Sequence, residues 1–347
     1  MGQTLYHTIK RYRSLHSDKI SVLPVVILMP HSACNCKCVM CDIWKGNQNL
    51  RQLTESDITS LLRTFIKFET QQVLMSGGEA LLNPNFFKFC ELLKKENISV
   101  SLLSSGLLLK RYAVQLAEGV HDIIVSLDGD KVTHDAIRNI PGAFNKIAEG
   151  IEAIRQIDPG YRITGRCVIH KHNFAIWPLI IDNAKRIGLD QISFLPADVS
   201  SSAFNREELW NETRQHEILL SKNEVYELRL VLDNLIINYQ DDFSNNFIAE
   251  SPIKIEKIYQ YYAAIHKMNP FPYKKCNAPW VSTVIEADGT VRPCFFHKSY
   301  GNIKMDTLDK IINSEEAIHF RKNLDMQKNE ICRKCVCYLN LRPGMRV

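Results

Sequence analysis

The sequence lacks the long apolar runs that membrane proteins need. No stretch of its 347 residues approaches the roughly 18 consecutive apolar residues of a membrane span. The first 19 residues contain basic side chains but no apolar core, so they do not predict a secretion signal. Tyr6 stands where an N-myristoylation motif requires Ser or Thr. We therefore expect a cytoplasmic protein without a membrane partner.

The sequence also lacks a concentration of charge of one sign. Its 43 basic and 38 acidic residues give a net charge of +5, and the basic residues are scattered rather than gathered in a stripe. Proteins that bind nucleic acids usually cluster their basic residues on one face. The charge pattern therefore predicts no nucleic-acid partner. Internal repeats and low-complexity segments are absent from the sequence as well.

Cysteine, in contrast, is abundant. The chain has eleven cysteines, a high number for a compartment that keeps thiols reduced. Clustered cysteines in such proteins usually bind metal or perform redox chemistry. Nine of the eleven fall into two groups, within residues 34–41 and 276–337. Cys90 and Cys167 stand alone, and we predict that each is a buried core residue.

Strand and helix patterns alternate from about residue 22 to residue 200. The predicted strands are 25–29, 71–76, 99–105, 122–129, 161–170 and 191–195, and the predicted helices are 54–68, 83–97, 107–119, 142–157 and 174–188. This alternation predicts an α/β fold with a parallel sheet and helices outside it. An open doubly wound sheet and a closed or partly closed β/α barrel both fit. In either fold, ligands bind at the carboxyl ends of the strands.

Two of the predicted helices begin with recognisable capping signals. Thr54 precedes a helical pattern and is followed three residues later by Asp57, as in a capping box. Asn83 precedes Pro84, a residue that is favoured in the first helical turn.

The pattern changes after residue 200. Residues 201–275 read as mostly helical, and residues 280–296 predict a hairpin that turns at Ala-Asp-Gly. We therefore predict four segments along the chain. They are an N-terminal extension (1–21), a core (22–200), a helical linker on the substrate side (201–275) and a small cysteine-rich auxiliary domain (276–347).

Cys34, Cys38 and Cys41 follow the first predicted strand with the spacing Cx3Cx2C. Three thiolates on one loop can bind three irons of a 4Fe–4S cluster and leave the fourth iron open, whereas ferredoxins close the cluster with four cysteines. An open iron can bind a cofactor or substrate. A structural zinc site and simple reduced thiols are the alternatives, although zinc sites usually show a second pair of ligands. Cys36 is left over in this assignment, and a different register of ligands would include it.

These cysteines, together with two later motifs, resemble the radical S-adenosylmethionine (SAM) superfamily. Gly77, Gly78 and Glu79 match the superfamily's motif after the second strand, and residues 123–154 are similar to the strand-four segment of the anaerobic sulfatase-maturase type. Met40 departs from the pattern, because an aromatic residue usually precedes the third cysteine. The resemblance covers residues 25 to about 200 and implies a partial, TIM-like (β/α)6 barrel.

The resemblance implies that SAM binds the open iron through its amino and carboxylate groups. An electron from the reduced cluster then cleaves SAM to methionine and a 5′-deoxyadenosyl radical, which takes a hydrogen atom from the substrate. A reducing partner such as flavodoxin or ferredoxin is implied as well. The catalytic side chains stay unassigned at this point.

The resemblance also implies which residues contact SAM. Gly77 and Gly78 lack a Cβ and let the backbone approach the methionine moiety, and Glu79 helps to bind the amino group. Contacts to the carboxylate and ribose come from residues in strands three to five, namely Ser105, Ser126, Asp128 and Arg166. The alternatives are turn or cap roles for the serines and the aspartate, and a position on the barrel exterior for the arginine.

The second cysteine group resembles the C-terminal SPASM domain or its shorter twitch form. Cys276 and Cys294 enclose the pattern C-x12-G-x4-C, and Cys332, Cys335 and Cys337 follow. The resemblance implies one auxiliary 4Fe–4S cluster, bound by the first four of these cysteines. Cys337 is left over, or replaces Cys335. A zinc ribbon is the alternative. A cluster saturated by four thiolates would transfer electrons or shape the substrate pocket rather than bind substrate directly.

The substrate is the least determined feature. The 21 residues before the core are too few for the N-terminal peptide-recognition domain that many peptide-modifying members carry. We therefore expect a small polar substrate such as a sugar or an aminocyclitol. The alternative is the maturation of a ribosomally made peptide or protein. Two further classes remain open: a zinc-binding, non-catalytic interaction protein and an electron-transfer iron–sulfur protein that does not use SAM.

Overall fold

The computed structural model describes residues 5–204, 206 and 208–345. The strands in this part of the chain are β1 (Val25–Leu28), β2 (Gln72–Met75), β3 (Ser99–Ser104), β4 (Asp122–Ser126), β5 (Ile163–Ile169), β6 (Gln191–Pro196), β7 (Ser282–Ile285), β8 (Thr290–Arg292) and β9 (Gly301–Asn302). They form one sheet in the order β6-β5-β4-β3-β2-β1-β7-β8-β9.

The helices lie between and after these strands. They are α1 (Leu5–Ser17), α2 (Glu55–Lys67), α3 (Phe86–Lys95), α4 (Ala113–Gly119), α5 (Lys131–Arg138), α6 (Ala143–Ile157), α7 (Trp177–Arg186), α8 (Glu212–His216), α9 (Lys222–Asn238), α10 (Gln240–Ser244), α11 (Pro252–Ile265), α12 (Ala278–Val281), α13 (Leu308–Ile312), α14 (Glu315–Asn323) and α15 (Glu330–Lys334). Short 3-10 helices cover Ile43–Gln48, Ala80–Leu82 and Phe174–Ile176. None of the helices in the described residues is both long and apolar enough to traverse a bilayer.

Strands β1 to β6 confirm the predicted α/β fold. All six pair in parallel with their neighbours in chain order. A doubly wound sheet reverses its strand order beside its first strand, whereas a β/α barrel does not. The observed order is therefore that of a partial β/α barrel. Helices α1 and α5 were not predicted, and the predicted helix 107–119 is shorter, since its regular part begins only at Ala113.

The cysteine-rich segment adds its strands to the same sheet. Strand β7 pairs in parallel with β1, and β8 returns antiparallel to β7, which confirms the hairpin predicted for 280–296. The turn ends at Gly289, whose φ of +90° is unfavourable for other residues. A Cβ at this position would also lie 2.7 Å from Asn302 Oδ1. The four predicted segments stay a prediction, although the sheet runs through two of them.

The two faces of β1 belong to different apolar clusters. Val26 and Leu28 join the main core beneath the helices. Val25 and Ile27 pack in a smaller cluster with Val284 and with residues 339 and 341 from the C-terminal segment. The alternation of side chains along a strand explains this division. The C-terminal segment therefore covers the side of β1 that the helices leave open.

One of the two predicted caps is confirmed and the other is wrong. Thr54 caps α2 in a capping box with Asp57. Helix α3, however, begins at Phe86 with Asn85 as its cap residue, not at Asn83. The Asn83 Oδ1 accepts the backbone N–H of Asn85 (2.8 Å), one residue before the helix, while its Nδ2 donates to the carbonyls of Pro30 (2.8 Å) and Leu53 (3.0 Å). Its side chain is thus used to fasten the loop that follows β1.

Candidate functional site

The predicted iron ligands Cys34, Cys38 and Cys41 lie on the loop that follows β1, at the carboxyl end of the sheet. We call residues 34–41 the cluster loop. Two backbone bonds attach it to the end of α5: the N–H of Lys37 donates to the carbonyl of Arg138 (3.1 Å), and that of Val39 to the carbonyl of residue 137 (3.0 Å). None of these three cysteines forms a disulfide bond. The sheet and α5 therefore hold the cluster loop at the edge where ligands bind.

Each of the three sulfurs accepts a hydrogen bond. The backbone N–H of residue 36 donates to Cys34 Sγ at 3.5 Å, and that of residue 43 to Cys41 Sγ at 3.5 Å. Cys38 Sγ lies 3.5 Å from the guanidinium Nη1 of Arg138. Donors of this kind stabilise thiolates, the form of cysteine that binds metal.

Cys36 affects the ionisation of its neighbours. Its thiol shares hydrogen bonds with Cys34 and Cys38, which raises the pKa of Cys36. The same bonds are the main cause that lowers the pKa of Cys34 and, with help from the Arg138 charge, lowers that of Cys38 to about 6. Burial raises the pKa of Cys41 to about 12; a bound metal nevertheless deprotonates its thiol ligands. Cys36 thus shares its hydrogen bonds with two of the predicted ligands.

The Gly77-Gly78-Glu79 motif packs directly against the start of the cluster loop. A Cβ on Gly78 would lie 2.1 Å from the carbonyl oxygen of Ala33, the residue before Cys34. The backbone N–H of Glu79 donates to the same oxygen at 2.9 Å. Gly77 has a φ of +109°, which glycine tolerates best. Any side chain at position 78 would therefore displace Ala33 and with it the first cysteine.

Glu79 is fully buried and is hydrogen-bonded to residues at the end of strand β3. Its carboxylate accepts hydrogen bonds from the Ser104 hydroxyl (3.0 Å), the Ser105 hydroxyl (2.6 Å) and the Ser105 backbone N–H (2.9 Å). Burial raises the pKa of Glu79, although these donors oppose the shift. The Ser105 hydroxyl also lies 3.0 Å from Asn35 Oδ1 in the cluster loop. Glu79 thus links β2, β3 and the cluster loop.

Asp128 forms a buried ion pair with Arg138. Asp128 Oδ1 also accepts a hydrogen bond from the backbone N–H of Val168, with an N to O distance of 3.2 Å. Burial alone would lower the pKa of Arg138. The charges of Asp128 and of the nearby cysteines outweigh the effect of burial and raise this pKa. One guanidinium therefore connects Asp128 with Cys38. Sequence reasoning did not single out Arg138, although it lies within the segment 123–154 that carries the resemblance.

Ser126 and Arg166 lie opposite each other on β4 and β5, and Ser193 continues the row on β6. Arg166 Nε donates to Ser193 Oγ at 3.3 Å. The adjacent residue Gly165 faces Leu189 on the side covered by helices. Because side chains alternate along a strand, Arg166 faces the inner side of the partial barrel. The contacts predicted between SAM and Gly77, Gly78, Glu79, Ser105, Ser126, Asp128 and Arg166 stay predictions.

The segment after β6 crosses over the cluster loop, which the sequence did not indicate. The Trp210 indole N–H donates to Asp42 Oδ2, next to the third cysteine, at 2.6 Å. The guanidinium carbons of Arg206 and Arg214 lie 4.0 and 4.5 Å from the centroid of the Trp210 ring. Arg214 also donates to the carbonyl of Val39. No motif marks these residues, because their contacts depend on the path of the chain after β6.

The second cysteine group surrounds one cavity of about 470 Å³, including its open mouth. Its lining contains all the cysteines of that group, namely Cys276, Cys294, Cys332, Cys335 and Cys337. We call it the auxiliary cavity. His297 and Lys274 line it as well, and sequence reasoning missed both. The tertiary structure therefore brings together thiols that are up to 61 positions apart in the chain.

A second cavity of about 350 Å³, again including its mouth, lies between the end of β6 and α15. Asp198, Ser201 and Phe296 line it together with Cys335. Asp198 is held by Arg206, whose Nη1 lies 2.6 Å from Asp198 Oδ2. This cavity, which we call the junction cavity, therefore lies between the barrel and the auxiliary cavity.

Both cysteine sites contain the kind of ligand that iron–sulfur clusters require, namely several cysteine sulfurs. Among the described residues, no three His, Cys, Asp or Glu side chains converge on a position for a single metal ion. A 4Fe–4S cluster does not require such convergence, because each thiolate binds a different iron. In the cluster loop, Cys34, Cys38 and Cys41 lie next to hydrogen-bond donors. In the auxiliary cavity, five cysteines surround an open volume.

Comparison with protein families finds two matches. Residues 28–189 match the Radical SAM superfamily, and residues 276–336 match SPASM, an iron–sulfur cluster-binding domain. The matched ranges contain the cluster loop and four of the five cysteines of the auxiliary cavity.

Curated relatives match at low identity. A probable GTP 3′,8-cyclase of Methanococcus maripaludis is 28% identical over 54% of this chain and 61% of its own length. Fe-coproporphyrin III synthase of Methanosarcina barkeri is 24% identical over 92% of this chain and 83% of its own. The subtilosin biosynthesis protein AlbA of Bacillus subtilis is 23% identical over 88% and 62%, respectively. The chain thus spans less than two thirds of the cyclase and of AlbA.

Two solved structures share the fold. SuiB of Streptococcus suis, bound to the precursor peptide SuiA, has a TM-score of 0.66 at 15% identity and covers 95% of this chain and 72% of SuiB. The structure of anSMEcpe with AdoMet and a peptide has a TM-score of 0.62 at 20% identity and covers 90% and 88%. These likenesses show the fold.

Proposed function

Since this chain is a radical SAM enzyme that carries a SPASM iron–sulfur domain, we propose that it modifies a ribosomally made peptide or protein. SAM and 4Fe–4S clusters are its cofactors. The observation that carries the proposal is the alignment with AlbA, a protein of bacteriocin biosynthesis, over 88% of this chain. It supports the peptide alternative over the sugar or aminocyclitol that we expected.

We propose that Cys34, Cys38 and Cys41 bind the cluster that carries SAM. When bound, SAM and this cluster supply a 5′-deoxyadenosyl radical that removes a hydrogen atom from the substrate. Arg138 donates to the sulfur of Cys38 and Asp128 fixes that guanidinium. Trp210 covers the loop from the other side through its bond to Asp42.

The auxiliary cluster takes Cys276, Cys294, Cys332 and Cys335 as its ligands in this proposal. The junction cavity, which Asp198 and Ser201 line together with Cys335, is the proposed place for the substrate residue. A flavodoxin or ferredoxin supplies the electron that starts each turnover.

The first experiment tests the site. Anaerobically reconstituted enzyme is incubated with SAM and dithionite, and 5′-deoxyadenosine is measured by mass spectrometry. We expect Cys38→Ala to abolish this product and Cys36→Ala to retain it, because only the first variant removes a proposed iron ligand. SAM cleavage at the wild-type rate by Cys38→Ala would refute the assignment.

The second experiment tests the substrate. Peptides encoded beside the gene are made with deuterium at carbon positions and incubated with the enzyme and SAM. Transfer of deuterium into 5′-deoxyadenosine, with a changed peptide mass, is the expected result. A second candidate is an iron tetrapyrrole, because Fe-coproporphyrin III synthase aligns with 92% of this chain. Formation of iron coproporphyrin III from an iron tetrapyrrole precursor, without any change in the peptides, would favour that candidate.

A further inference from the structure

His297 lies in the wall of the auxiliary cavity with its ring against one of the proposed iron ligands. Its Nε2 atom is 3.3 Å from Cys332 Sγ. The residue is only 5% exposed, and its ring packs edge-on against Phe320 with the centroids 4.9 Å apart. Its backbone carbonyl accepts a hydrogen bond from Arg292 Nη1 at 3.1 Å. The ring is thus held in place from several sides.

Lys274 brings a positive charge to the same cavity. Its Nζ donates to the backbone carbonyls of Arg333 (3.3 Å) and Cys335. Lys274 lines the cavity together with Cys276, Cys332 and Cys335. Within the described part of the chain, the hydrogen-bond acceptors of this ammonium are carbonyls rather than carboxylates. Among the described residues the charge is therefore not paired with a carboxylate, and it lies in the same cavity wall as the thiols.

We propose that His297 and Lys274 make the auxiliary cluster easier to reduce. A thiolate that binds iron can only accept a hydrogen bond, so Nε2 of His297 must carry the proton that points at Cys332. Hydrogen bonds to the ligand sulfurs and nearby charge are among the features that set the reduction potential of an iron–sulfur cluster. Both groups stabilise added negative charge, and the reduced cluster carries one negative charge more than the oxidised one.

The direction of this effect suits a cluster that takes up an electron rather than one that supplies the electron for SAM cleavage. The two sites differ accordingly. Arg138, the cation beside Cys38, is paired with Asp128, whereas Lys274 donates to carbonyls. The proposal rests on the auxiliary cluster of the proposed function but not on the identity of the substrate, so its test needs no substrate.

The test measures the midpoint potential of the auxiliary cluster in the full-length chain. Cys34, Cys38 and Cys41 are replaced by alanine in this background so that the auxiliary cluster alone gives the electron paramagnetic resonance signal. Dye-mediated redox titrations are then compared for the added substitutions His297→Phe, His297→Gln, Lys274→Met and Lys274→Arg. Two matched controls lie nearby on exposed positions, His319→Phe and Lys275→Met.

We expect His297→Phe and Lys274→Met to shift the midpoint potential to more negative values. His297→Gln keeps an N–H donor and Lys274→Arg keeps the charge, so both should stay near the parent, as should the two controls. Iron content is measured in every variant.

Several outcomes would overturn the proposal. An unchanged potential in His297→Phe at full iron content would show that the ring does not tune the cluster. Loss of iron in both His297 variants would make the histidine a ligand instead of a donor. For the lysine, either loss of iron in Lys274→Met or an equal shift in Lys275→Met would refute its specific role.

Discussion

Arg138 and Asp128 meet directly beneath the cluster loop, and both are almost completely buried. A buried ion pair adds little net stability when it is complete, because both charges have lost their water. Removal of one partner is costly, however, since it leaves the other charge uncompensated. Arg138 therefore serves two functions: it balances Asp128, and it directs a donor at Cys38 Sγ.

We expect Arg138→Met to lower the free energy of unfolding by about 3–5 kcal/mol, because Asp128 then stays buried without a partner. The double variant Arg138→Met/Asp128→Asn should lose less than the sum of the two single variants. Urea unfolding of the four proteins, followed by circular dichroism, measures this coupling. Additive losses would show that the pair does not interact as the geometry indicates.

Helix α2 shows how one element is tied into the molecule at its first turn. Thr54 and Asp57 form a capping box, in which each side chain bonds the backbone N–H of the other. Asp57 additionally pairs with Lys304, which follows β9. The start of α2 therefore supports both the barrel and the C-terminal part of the sheet.

We expect Thr54→Ala to destabilise the protein by about 1 kcal/mol, the usual cost of removing a helix cap. Thr54→Ser keeps the hydroxyl and should stay close to the wild type. Urea midpoints of the three proteins are the measurement. Equal loss in the serine and alanine variants would mean that the methyl group, not the hydroxyl, matters.

Asp57, in the first turn of α2, also predicts that the stability of the protein depends on pH. Burial alone would raise the pKa of Asp57. Hydrogen bonds from Lys304 and Thr54 outweigh the effect of burial and lower this pKa. A lowered pKa means that the aspartate stabilises the fold fully above its unfolded value of about 4 and loses this effect as the pH falls through the folded value. The difference in unfolding midpoint between wild type and Asp57→Asn should therefore shrink below about pH 4. A difference that grows with acidity would contradict this.

At the scale of the whole molecule, the two cysteine sites belong to one continuous sheet. Strand β1 leads into the cluster loop, and β7, which pairs with β1, belongs to the segment that surrounds the auxiliary cavity. The junction cavity is lined by residues that follow β6 and by Cys335 of the auxiliary cavity. Phe204, in the segment after β6, contacts Phe296 edge-on with ring centroids 6.2 Å apart. The two cysteine sites are thus structurally connected, although they lie far apart in the sequence.

We expect Cys332→Ala to lose the auxiliary cluster alone, so that iron falls from about eight to about four atoms per chain. The variant should still form 5′-deoxyadenosine but should not modify substrate. Cys337→Ala is the matched control and should keep both clusters. Loss of about four irons in Cys337→Ala would assign that cysteine as a ligand, and loss of all iron in Cys332→Ala would show that the sites do not assemble independently.

Several features followed from the sequence alone. The spacing of Cys34, Cys38 and Cys41 is a local feature, and the six strands are visible as apolar runs. Both features can therefore be predicted without knowing the tertiary contacts. The hairpin of β7 and β8 follows from its own turn residues in the same way. The two families that the motifs indicated are those that the comparisons find.

The tertiary structure alone decided which distant residues complete the sites. Arg138 is 100 positions from Cys38, Trp210 is 168 positions from Asp42, and His297 is 35 positions from Cys332. Asn83 looked like a helix cap, but its amide bonds the loop after β1 instead. Contacts of this kind depend on how elements pack, and packing is set by the whole core rather than by neighbours in the chain.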